Sequence, residues 1–212
     1  MNKENSVILV GGGGHARVLI DLIRMSGLFN IAGIIDHMLE PGSLVSGVPV
    51  IGNDSMLSDV YKKGIVNGCI AVGSIKENSK RKMLYEKVRQ VGFDIPFLIH
   101  HKAMVSQNST KISTGVQVMA GAVIQTGTTI GENTIINTGA IVEHDCTINN
   151  HVHVCPGAIL SGGCTVHDGA FIGAGATLIQ GVRIGKNAVI AAGSVVLHDV
   201  AEGITVKGVP AK

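Results

Sequence analysis

The hydrophobic pattern divides the chain into two parts, and its most regular stretch lies between Ile112 and Val196. Every sixth residue of this stretch is Ile, Leu or Val, and the residue four positions after each of them is small or β-branched. Neither the period of a helix nor that of a strand gives this register. A six-residue repeat indicates a parallel β-helix, in which each repeat is a short strand with a turn and stacked coils bury a continuous core.

The frame also predicts the limits of this β-helix. Three repeats make one coil, and about five coils stacked about 4.8 Å apart give a prism roughly 25 Å long. Ala103–Ser106 resembles an early repeat, with a one-residue insertion before Ile112. Glu202 breaks the frame, so we expect the tail, Gly208–Lys212, to cap the last coil.

The first hundred residues instead alternate between short apolar runs and amphipathic stretches. We expect strands at Ser6–Val10, Ile31–Ile35, Val48–Gly52, Cys69–Gly73 and Phe97–Ile99, and helices over Ala16–Ser26, Asp54–Lys63 and Glu77–Val91. Strand–helix–strand units give parallel strands with right-handed crossovers. The fold prediction is therefore a small Rossmann-like α/β domain of three or four parallel strands over residues 1–99, followed by an all-β domain over residues 100–212.

The composition indicates which classes of partner and which cellular compartment are compatible with the chain. The formal net charge of +2 provides no electrostatic footprint for nucleic acid. No apolar run is long enough to span a membrane, and the first five residues with the strand after them do not form a signal peptide. The four cysteines, at positions 69, 146, 155 and 164, form no Cys-x-x-Cys pair, which fits a reducing cytoplasm. Cys146 and Cys164 fall at the small, inward-facing position of the repeat, so we expect them to pack in the core.

A glycine-rich turn is the first candidate binding site. Gly11-x-Gly13-x-x-Ala16 follows the first strand and opens a helix, and Asp36 ends the second strand. Glycines let the backbone approach a phosphate, the helix N-terminus favours an anion, and an acidic residue after strand two can bind a ribose hydroxyl. The alternative is a tight turn without a ligand. A domain of this size leaves little room for two mononucleotide halves, so a nucleotide-bearing substrate fits better than NAD.

Glu143, His144 and Asp145 form the second candidate site. Val142 and Cys146 on either side occupy inward positions, so the three titratable residues lie on the outer surface of a turn. A carboxylate bonded to one ring nitrogen fixes the tautomer of a histidine and makes the other nitrogen a better base. The alternative is a solvated turn with ordinary charges.

His151 and His153 form the third candidate cluster. His153 lies half a coil from His144, so the two imidazoles cannot meet within one prism but can meet between two prisms. A zinc site shared between prisms is the rival interpretation, although no regular ligand spacing occurs within the chain. The other histidines of the second half have no evident partner and are interpreted as surface residues.

These features together resemble one family. The βαβ unit with its glycine-rich turn and His15, the uninterrupted repeats, Glu143–Cys146 and the closing Gly208–Lys212 resemble the sialic acid O-acetyltransferase/UDP-4-amino-sugar N-acetyltransferase family. The resemblance covers essentially the whole chain. It implies a left-handed β-helix and a cytoplasmic homotrimer with three active sites between neighbouring prisms. It also implies acetyl-CoA as cosubstrate, a nucleotide-linked amino sugar as acceptor, and no metal.

The resemblance also assigns residues to roles. His144 becomes the general base and Asp145 its orienting carboxylate, while the Gly162 amide stabilises the oxyanion. His153 faces the thioester from the adjacent subunit, and Ala174 with Ala192 lines the pantetheine groove. The residues implied for the nucleotide-sugar are Gly11, Gly13, His15, Asp36, Asn137 and Glu143. His37 stands where members of the family often have a second acidic residue.

The implied activity is transfer of acetyl from acetyl-CoA to the amine of a nucleotide-linked 4-amino-4,6-dideoxy sugar in bacterial glycan or O-antigen biosynthesis. Attack on the thioester is direct, because the inward slot of Cys146 argues against a thiol nucleophile. The nearest alternative is O-acetylation of sialic acid or a related sugar. A zinc lyase on the same repeat and a non-catalytic nucleotide-sugar-binding trimer are further alternatives.

Overall fold

A computed structural model describes residues 5–212 of the chain. The first four residues, which enter the signal-peptide expectation, lie outside the described part. The chain forms two compact units: one takes the chain up to Gly73 together with Lys80–Leu98, and the other comprises Ser74–Ser79 and Ile99–Lys212. The boundary between residues 99 and 100 as a division into independent domains stays a prediction.

The first unit is built on a five-stranded sheet. Its strands are β1 (Ser6–Val10), β2 (Asn30–Ile35), β3 (Leu44–Val45), β4 (Val48–Gly52) and β5 (Asn67–Ile70), in the order β3-β4-β2-β1-β5. Four of them are parallel, as predicted, whereas the unpredicted β3 pairs antiparallel with β4 in a hairpin. The helices are α1 (Gly14–Ser26), α2 (Leu57–Lys62), preceded by a 3₁₀ turn at Asp54–Met56, and α3 (Ser79–Val91).

Burial explains why these segments take their places. All five residues of β1 are buried, as expected for the central strand of a parallel sheet. Five apolar side chains of α1 fall on one face and are 0–1% exposed: Ala16, Leu19, Ile20, Leu22 and Ile23. That helix ends at Gly27, whose N–H donates to the Ile23 carbonyl oxygen at 3.1 Å. The carboxyl ends of β1, β2, β4 and β5 therefore lie along one edge of the sheet.

The second unit is a parallel β-helix of two-residue strands arranged in three sheets. Sheet I contains β7, β10, β13, β16, β19 and β22; sheet II contains β8, β11, β14, β17 and β20; sheet III contains β6, β9, β12, β15, β18, β21 and β23. The bounds are β6 Leu98–Ile99, β7 Met104–Val105, β8 Lys111–Ile112, β9 Gln117–Val118, β10 Val123–Ile124, β11 Thr129–Ile130, β12 Ile135–Ile136, β13 Ile141–Val142, β14 Thr147–Ile148, β15 His153–Val154, β16 Ile159–Leu160, β17 Thr165–Val166, β18 Phe171–Ile172, β19 Thr177–Leu178, β20 Arg183–Ile184, β21 Val189–Ile190, β22 Val195–Val196 and β23 Thr205–Val206.

The six-residue repeat packs as predicted. The second residue of each strand from Val118 to Val196 is 0–1% exposed, and the small residues four positions on fill the corners of the same core. Backbone bonds join successive coils, for example from the Thr129 N–H to the Cys146 carbonyl oxygen at 2.9 Å. Desolvation raises the pKa of the buried Cys155 thiol to about 12. A bond to the Cys164 side chain, together with burial, raises the pKa of Cys146, so that thiol stays protonated and unreactive.

Both ends of the β-helix differ from the prediction. The predicted strand Phe97–Ile99 is β6, and it pairs with β9 of the β-helix rather than with the α/β sheet. The reason is that Ile99 lies six residues before Val105, so the inward frame already holds there, ahead of the insertion.

At the other end, β23 follows the break at Glu202 and still joins sheet III. Thr205 pairs with Val189 at a separation of 16 residues instead of 18, so the last coil is shortened rather than lost. The tail caps the stack as predicted, since the N–H of Ala211 donates to the Val195 carbonyl oxygen at 2.8 Å. None of the helices within residues 5–212 is long and apolar enough to cross a membrane.

Two adjacent residues of β14 test the inward frame. We expect Ile148→Ala, at a side chain 1% exposed, to lower the free energy of unfolding by about 2–5 kcal/mol, because it leaves a cavity between coils. Thr147→Ala, on the solvent face of the same strand, should change it by less than about 0.5 kcal/mol. Urea unfolding followed by circular dichroism measures both, and equal effects would contradict the assigned register.

Candidate active site

The glycine-rich turn joins β1 to α1 at the carboxyl edge of the α/β sheet. Gly11 has φ 110, and a Cβ there would lie 2.5 Å from a methyl carbon of Val72. A Cβ on Gly12 would lie 2.4 Å from Leu39, whereas none of the described residues comes within 4 Å of a Cβ on Gly13 or Gly14. The first two glycines are therefore required by packing, and the next two leave the helix N-terminus open to a ligand.

Among the residues that the structure describes, no side chain caps the N-terminus of α1. Gly13 is the N-cap residue, and the first turn contains no acidic side chain. The first N–H groups of a helix carry a partial positive charge and need acceptors. His15 stands half-buried in this first turn, beside Gly73. The arrangement suits an anionic group such as a diphosphate.

The Asp36 carboxylate bonds backbone N–H groups of its own unit, whereas the sequence suggested a contact to a ribose. One of its carboxylate oxygens accepts from the Gly12 N–H at 2.7 Å, and the other accepts from the Met38 N–H at 2.8 Å. The carboxylate therefore ties the glycine-rich turn to the loop after β2. The predicted contact from Asp36 to a ribose would have to use the remaining lone pairs of these oxygens.

His144 and Asp145 form the predicted pair on the corner between sheets I and II. The Nδ1 atom of His144 lies 2.8 Å from the Oδ2 atom of Asp145, and the two side chains are 52% and 71% exposed. Asp145 has φ 59, at a turn position where Gly127 and Gly163, one coil away on either side, also have positive φ. An aspartate in this left-handed conformation costs about 1 kcal/mol relative to glycine. Other turns of the prism also have a non-glycine residue in this conformation, at Asn133, His151 and Asn187.

Glycines on the coils above and below leave room for this pair. A Cβ on Gly127 would lie 2.3 Å from the Oδ1 atom of Asp145. A Cβ on Gly162 would lie 2.6 Å from both the Cε1 and the Nε2 atoms of His144. The imidazole therefore lies against the Gly162 backbone, and within residues 5–212 the Gly162 N–H has no hydrogen-bond acceptor. Glu143, partly buried at the same corner, completes the group.

His153 lies at a different place on the prism, on sheet III, and it is 6% exposed. Its Nδ1 atom is 2.7 Å from the Ser74 hydroxyl oxygen, and its Nε2 atom is 3.0 Å from the Asn137 amide nitrogen. The ring also packs edge-to-face against Phe171, at 5.5 Å between centroids. His153 thus connects the Ser74–Ser79 segment with the prism, a contact that the sequence did not suggest.

The surrounding bonds define the protonation of His153. The Asn137 amide oxygen accepts from the Thr138 N–H at 2.8 Å, so the amide nitrogen points at His153 and donates to Nε2. Nε2 is therefore an acceptor without a proton. A neutral ring must then carry its proton on Nδ1 and donate it to Ser74.

The remaining predicted residues share the Asn137 corner, between sheets III and I. Ala174 and Ala192 are both exposed and occupy the same turn position on successive coils. The corner with His144, Asp145 and Gly162 lies on the other edge of sheet I. Within one prism, the predicted residues fall into two groups that stay apart, as the half-coil spacing predicted.

Two buried polar residues escaped the sequence reasoning. Arg81, 2% exposed, donates from Nη1 to the carbonyl oxygens of Ile70 and Val72 at 2.7 and 2.9 Å, and desolvation lowers its pKa to about 10. It fixes the chain just after β5, beside the glycine-rich turn. Asn78, 5% exposed, donates to the carbonyl oxygens of Gly169 and Ala170 and fixes the Ser74–Ser79 segment on the prism. Neither could be recognised in a stretch that reads as a charged amphipathic helix.

The histidines suggested for zinc have other neighbours. His151 Nδ1 lies 3.0 Å from the side-chain nitrogen of Asn133, on the corner between sheets II and III. In the described part of the chain, no group of three or more His, Cys, Asp or Glu side chains is arranged to hold a metal ion.

A coiled prism of hexads with an exposed His–Asp pair, joined to an α/β unit with a glycine-rich turn, defines a left-handed β-helix acyltransferase of the hexapeptide-repeat class. The PglD N-terminal domain model matches residues 6–88, and the bacterial transferase hexapeptide model matches residues 127–162 and 163–198. No curated protein sequence matches the chain.

Solved structures resemble the chain over nearly its whole length. A GDP-perosamine N-acetyltransferase from Caulobacter crescentus, with one histidine replaced by alanine and in complex with CoA and GDP-perosamine, is 40% identical; the match has a TM-score of 0.92 and covers 98% of this chain and 95% of that one. The acetyltransferase domain of PglB from Neisseria gonorrhoeae is 35% identical, with a TM-score of 0.91 and 99% coverage of both chains. WeeI from Acinetobacter baumannii is 25% identical, with a TM-score of 0.76 and coverage of 97% and 98%.

The chain therefore belongs to the sialic acid O-acetyltransferase/UDP-4-amino-sugar N-acetyltransferase family, as its residues predicted.

The hydrogen bonds of His153 give a prediction that is independent of activity. ¹⁵N NMR of the wild-type ring should show the neutral form with the proton on Nδ1. In Asn137→Asp, a carboxylate replaces the amide donor, so the ring should gain a proton on Nε2 and become an imidazolium at neutral pH. Thr138→Ala keeps the backbone N–H and is the control. A wild-type ring with its proton on Nε2 would refute the assignment.

Proposed function

We propose that this protein transfers acetyl from acetyl-CoA to the amino group of a nucleotide-linked 4-amino-4,6-dideoxy sugar. The observation that carries the proposal is the His144–Asp145 pair, packed against a Gly162 backbone whose N–H lacks an acceptor among the described residues. Similarity to a GDP-perosamine N-acetyltransferase and to the PglB acetyltransferase domain over the whole chain supports it.

The mechanism requires a base for the amine. A sugar ammonium is not a nucleophile until it loses a proton. Asp145 accepts from Nδ1 of His144 and leaves Nε2 as the proton acceptor, on an exposed side of the prism. The amine then attacks the thioester carbonyl, its proton passes to Nε2, and coenzyme A leaves as the thiol. The Gly162 N–H would donate to the oxyanion, a contact worth about 10²–10³ in rate for one preorganised donor.

The acetyl-CoA site is proposed between two chains of a homotrimer. In one prism, sheet I separates the His144 corner from the corner that holds Asn137, Ala174 and Ala192. A site that uses both corners therefore needs two prisms. The outward residues of sheet I are largely apolar and half-exposed, which suits contact with a second copy: Val123, Ile141, Ile159 and Val195.

The nucleotide sugar is proposed to bind at the carboxyl edge of the α/β sheet. The crevice there lies beyond the carboxyl end of β1, where its neighbours β2 and β5 diverge in the chain order. Gly11, Gly13 and His15 would hold the diphosphate, with Asp36 keeping the turn in place. All four cysteines are free, which fits the cytoplasm as the site of the reaction.

Replacement of the proposed base is the first test. We expect His144→Ala and His144→Asn to lower kcat by about 10²–10⁴, because the amine loses its proton acceptor. Binding of acetyl-CoA, measured by calorimetry, should stay near the wild-type value. The measurement is CoA release with a nucleotide-linked 4-amino sugar, compared with free sialic acid as the acceptor of the O-acetylation alternative. Near-wild-type transfer by both variants would remove His144 from the mechanism.

A second test asks whether the site is shared between chains. His144→Ala removes the base at one corner, and Ala192→Trp blocks the pantetheine groove at the other, so each variant alone should be inactive. Co-expressed chains should regain about one quarter of the activity, since that fraction of interfaces joins two intact corners. Co-expression of His144→Ala with His144→Asn is the control. If co-expressed His144→Ala and Ala192→Trp chains form mixed trimers that remain inactive, the proposal of a site shared between two chains is wrong.

A further inference from the structure

A second cavity of the α/β unit lies next to the glycine-rich turn. It has a volume of about 400 Å³ and is lined by the loops after β2 and β4 and by the first turns of α3, through His37, Asn53, Asp54, Lys80, Met83 and Leu84. A narrow extension of about 20 Å³ shares four of these residues and reaches Gly11 and Asp36. A nucleotide with its diphosphate at Gly11 therefore has this cavity open for its base.

The polar groups of this cavity are available to a ligand. Within residues 5–212, neither the His37 ring nor the Lys80 ammonium has a hydrogen-bond or ion-pair partner. Met83 and Leu84 supply apolar surface from α3, the kind of wall against which a planar base packs. The cavity thus offers a cation, an imidazole and a carboxylate beside an apolar wall.

Asp54 is the most specific of these groups, because its position is fixed. Asn53 caps the turn by accepting from the Ser55 N–H at 3.0 Å, which sets the backbone at Asp54. The Oδ2 atom of Asp54 accepts from Lys87 Nζ at 2.9 Å. Oδ1 has no partner among the described residues, and Oδ2 can accept a second bond beside that from Lys87, so both oxygens of this cavity-lining side chain can accept from a ligand.

The chemistry of the bases decides which one suits a carboxylate. Guanine presents two adjacent donors, N1–H and the 2-amino group, which match the two oxygens of a carboxylate. Uracil and thymine present a single N–H between two carbonyl oxygens, so the second carboxylate oxygen would face an acceptor. Cytosine has only the 4-amino group as a donor. A lysine suits the O6 and N7 acceptors of guanine.

From this we propose that the cavity binds guanine, with Asp54 as the specificity-determining residue and Lys80 as the donor to O6. The inference rests on the proposed function, since it names the base of the nucleotide sugar that the function leaves open. It makes the acceptor substrate a guanosine diphosphate sugar.

The test measures binding of nucleoside diphosphates without acetyl-CoA or sugar. By titration calorimetry on the full chain, GDP should bind at least about tenfold more tightly than UDP, dTDP or CDP. Inosine diphosphate, which lacks only the 2-amino group, should bind several-fold more weakly than GDP. Tighter binding of UDP, dTDP or CDP would overturn the guanine assignment and leave the proposed acetyl transfer intact.

Asp54→Asn tests the residue itself. The amide presents only one acceptor, so GDP should lose about tenfold in affinity and the ratio of GDP to inosine diphosphate affinity should fall towards one. Asp59→Asn, at an exposed carboxylate on α2 outside the cavity, makes the same charge change and should alter neither value.

The ratio of GDP to inosine diphosphate affinity distinguishes a lost base contact from a general loss of structure, because a disordered cavity would weaken binding of both nucleotides. A lowered midpoint of thermal unfolding would report such disorder. An Asp54→Asn variant with the wild-type midpoint and an unchanged ratio would refute the role of Asp54. Absence of binding by every diphosphate would contradict the nucleotide-binding part of the proposed function as well.

Discussion

The backbone ladder between coils is the constraint on which the second unit depends. The three strands of one coil lie in different sheets, so the described strands pair with strands one coil away, and the backbone bonds of the sheets run between coils. This requirement fixes the spacing of the coils and sends one residue of each strand inward and the other outward. It also forces a turn at every corner, often with a residue at positive φ. The chemistry can then use only the side chains that the corners and outer faces leave free.

Asp145 shows how the site uses this constraint. Its turn position needs a left-handed backbone, which glycine adopts without cost on the coils above and below. Asp145 adopts this less favourable conformation, and its carboxylate lies within hydrogen-bond distance of the His144 ring. Gly127 and Gly162 keep the neighbouring coils out of the space that the two side chains occupy. The pair is therefore held by the repeat itself, with small residues on both sides, rather than by a loop inserted for the purpose.

The same regularity explains how much the sequence could predict. The repeat assigns a direction to every side chain, so the pattern alone places Cys146 inside the prism and His144 outside it. Prediction failed where the frame is broken, as at β6 and at the shortened last coil, because backbone pairing tolerates a changed coil length that the pattern does not show. In the α/β unit, the β3–β4 hairpin lies in a turn-rich stretch with no alternation. The bond that Asp36 accepts from the Gly12 N–H, and the bond between Ser74 and His153, join residues distant in sequence and leave no local signal.

His144 and His153 finally show why residue type alone could not assign the base. Both stand on the prism, and each is within reach of a group that orients its ring. His144 is half-exposed, bonds a carboxylate through Nδ1 and has no hydrogen-bond partner at Nε2 among the described residues. His153 is buried, with an amide donor at Nε2 and a hydroxyl at Nδ1, so a proton taken up by Nε2 would displace the Asn137 contact. These environments support the proposed role of His144 in proton transfer, whereas His153 is suited to hold Asn137 and Ser74 in place.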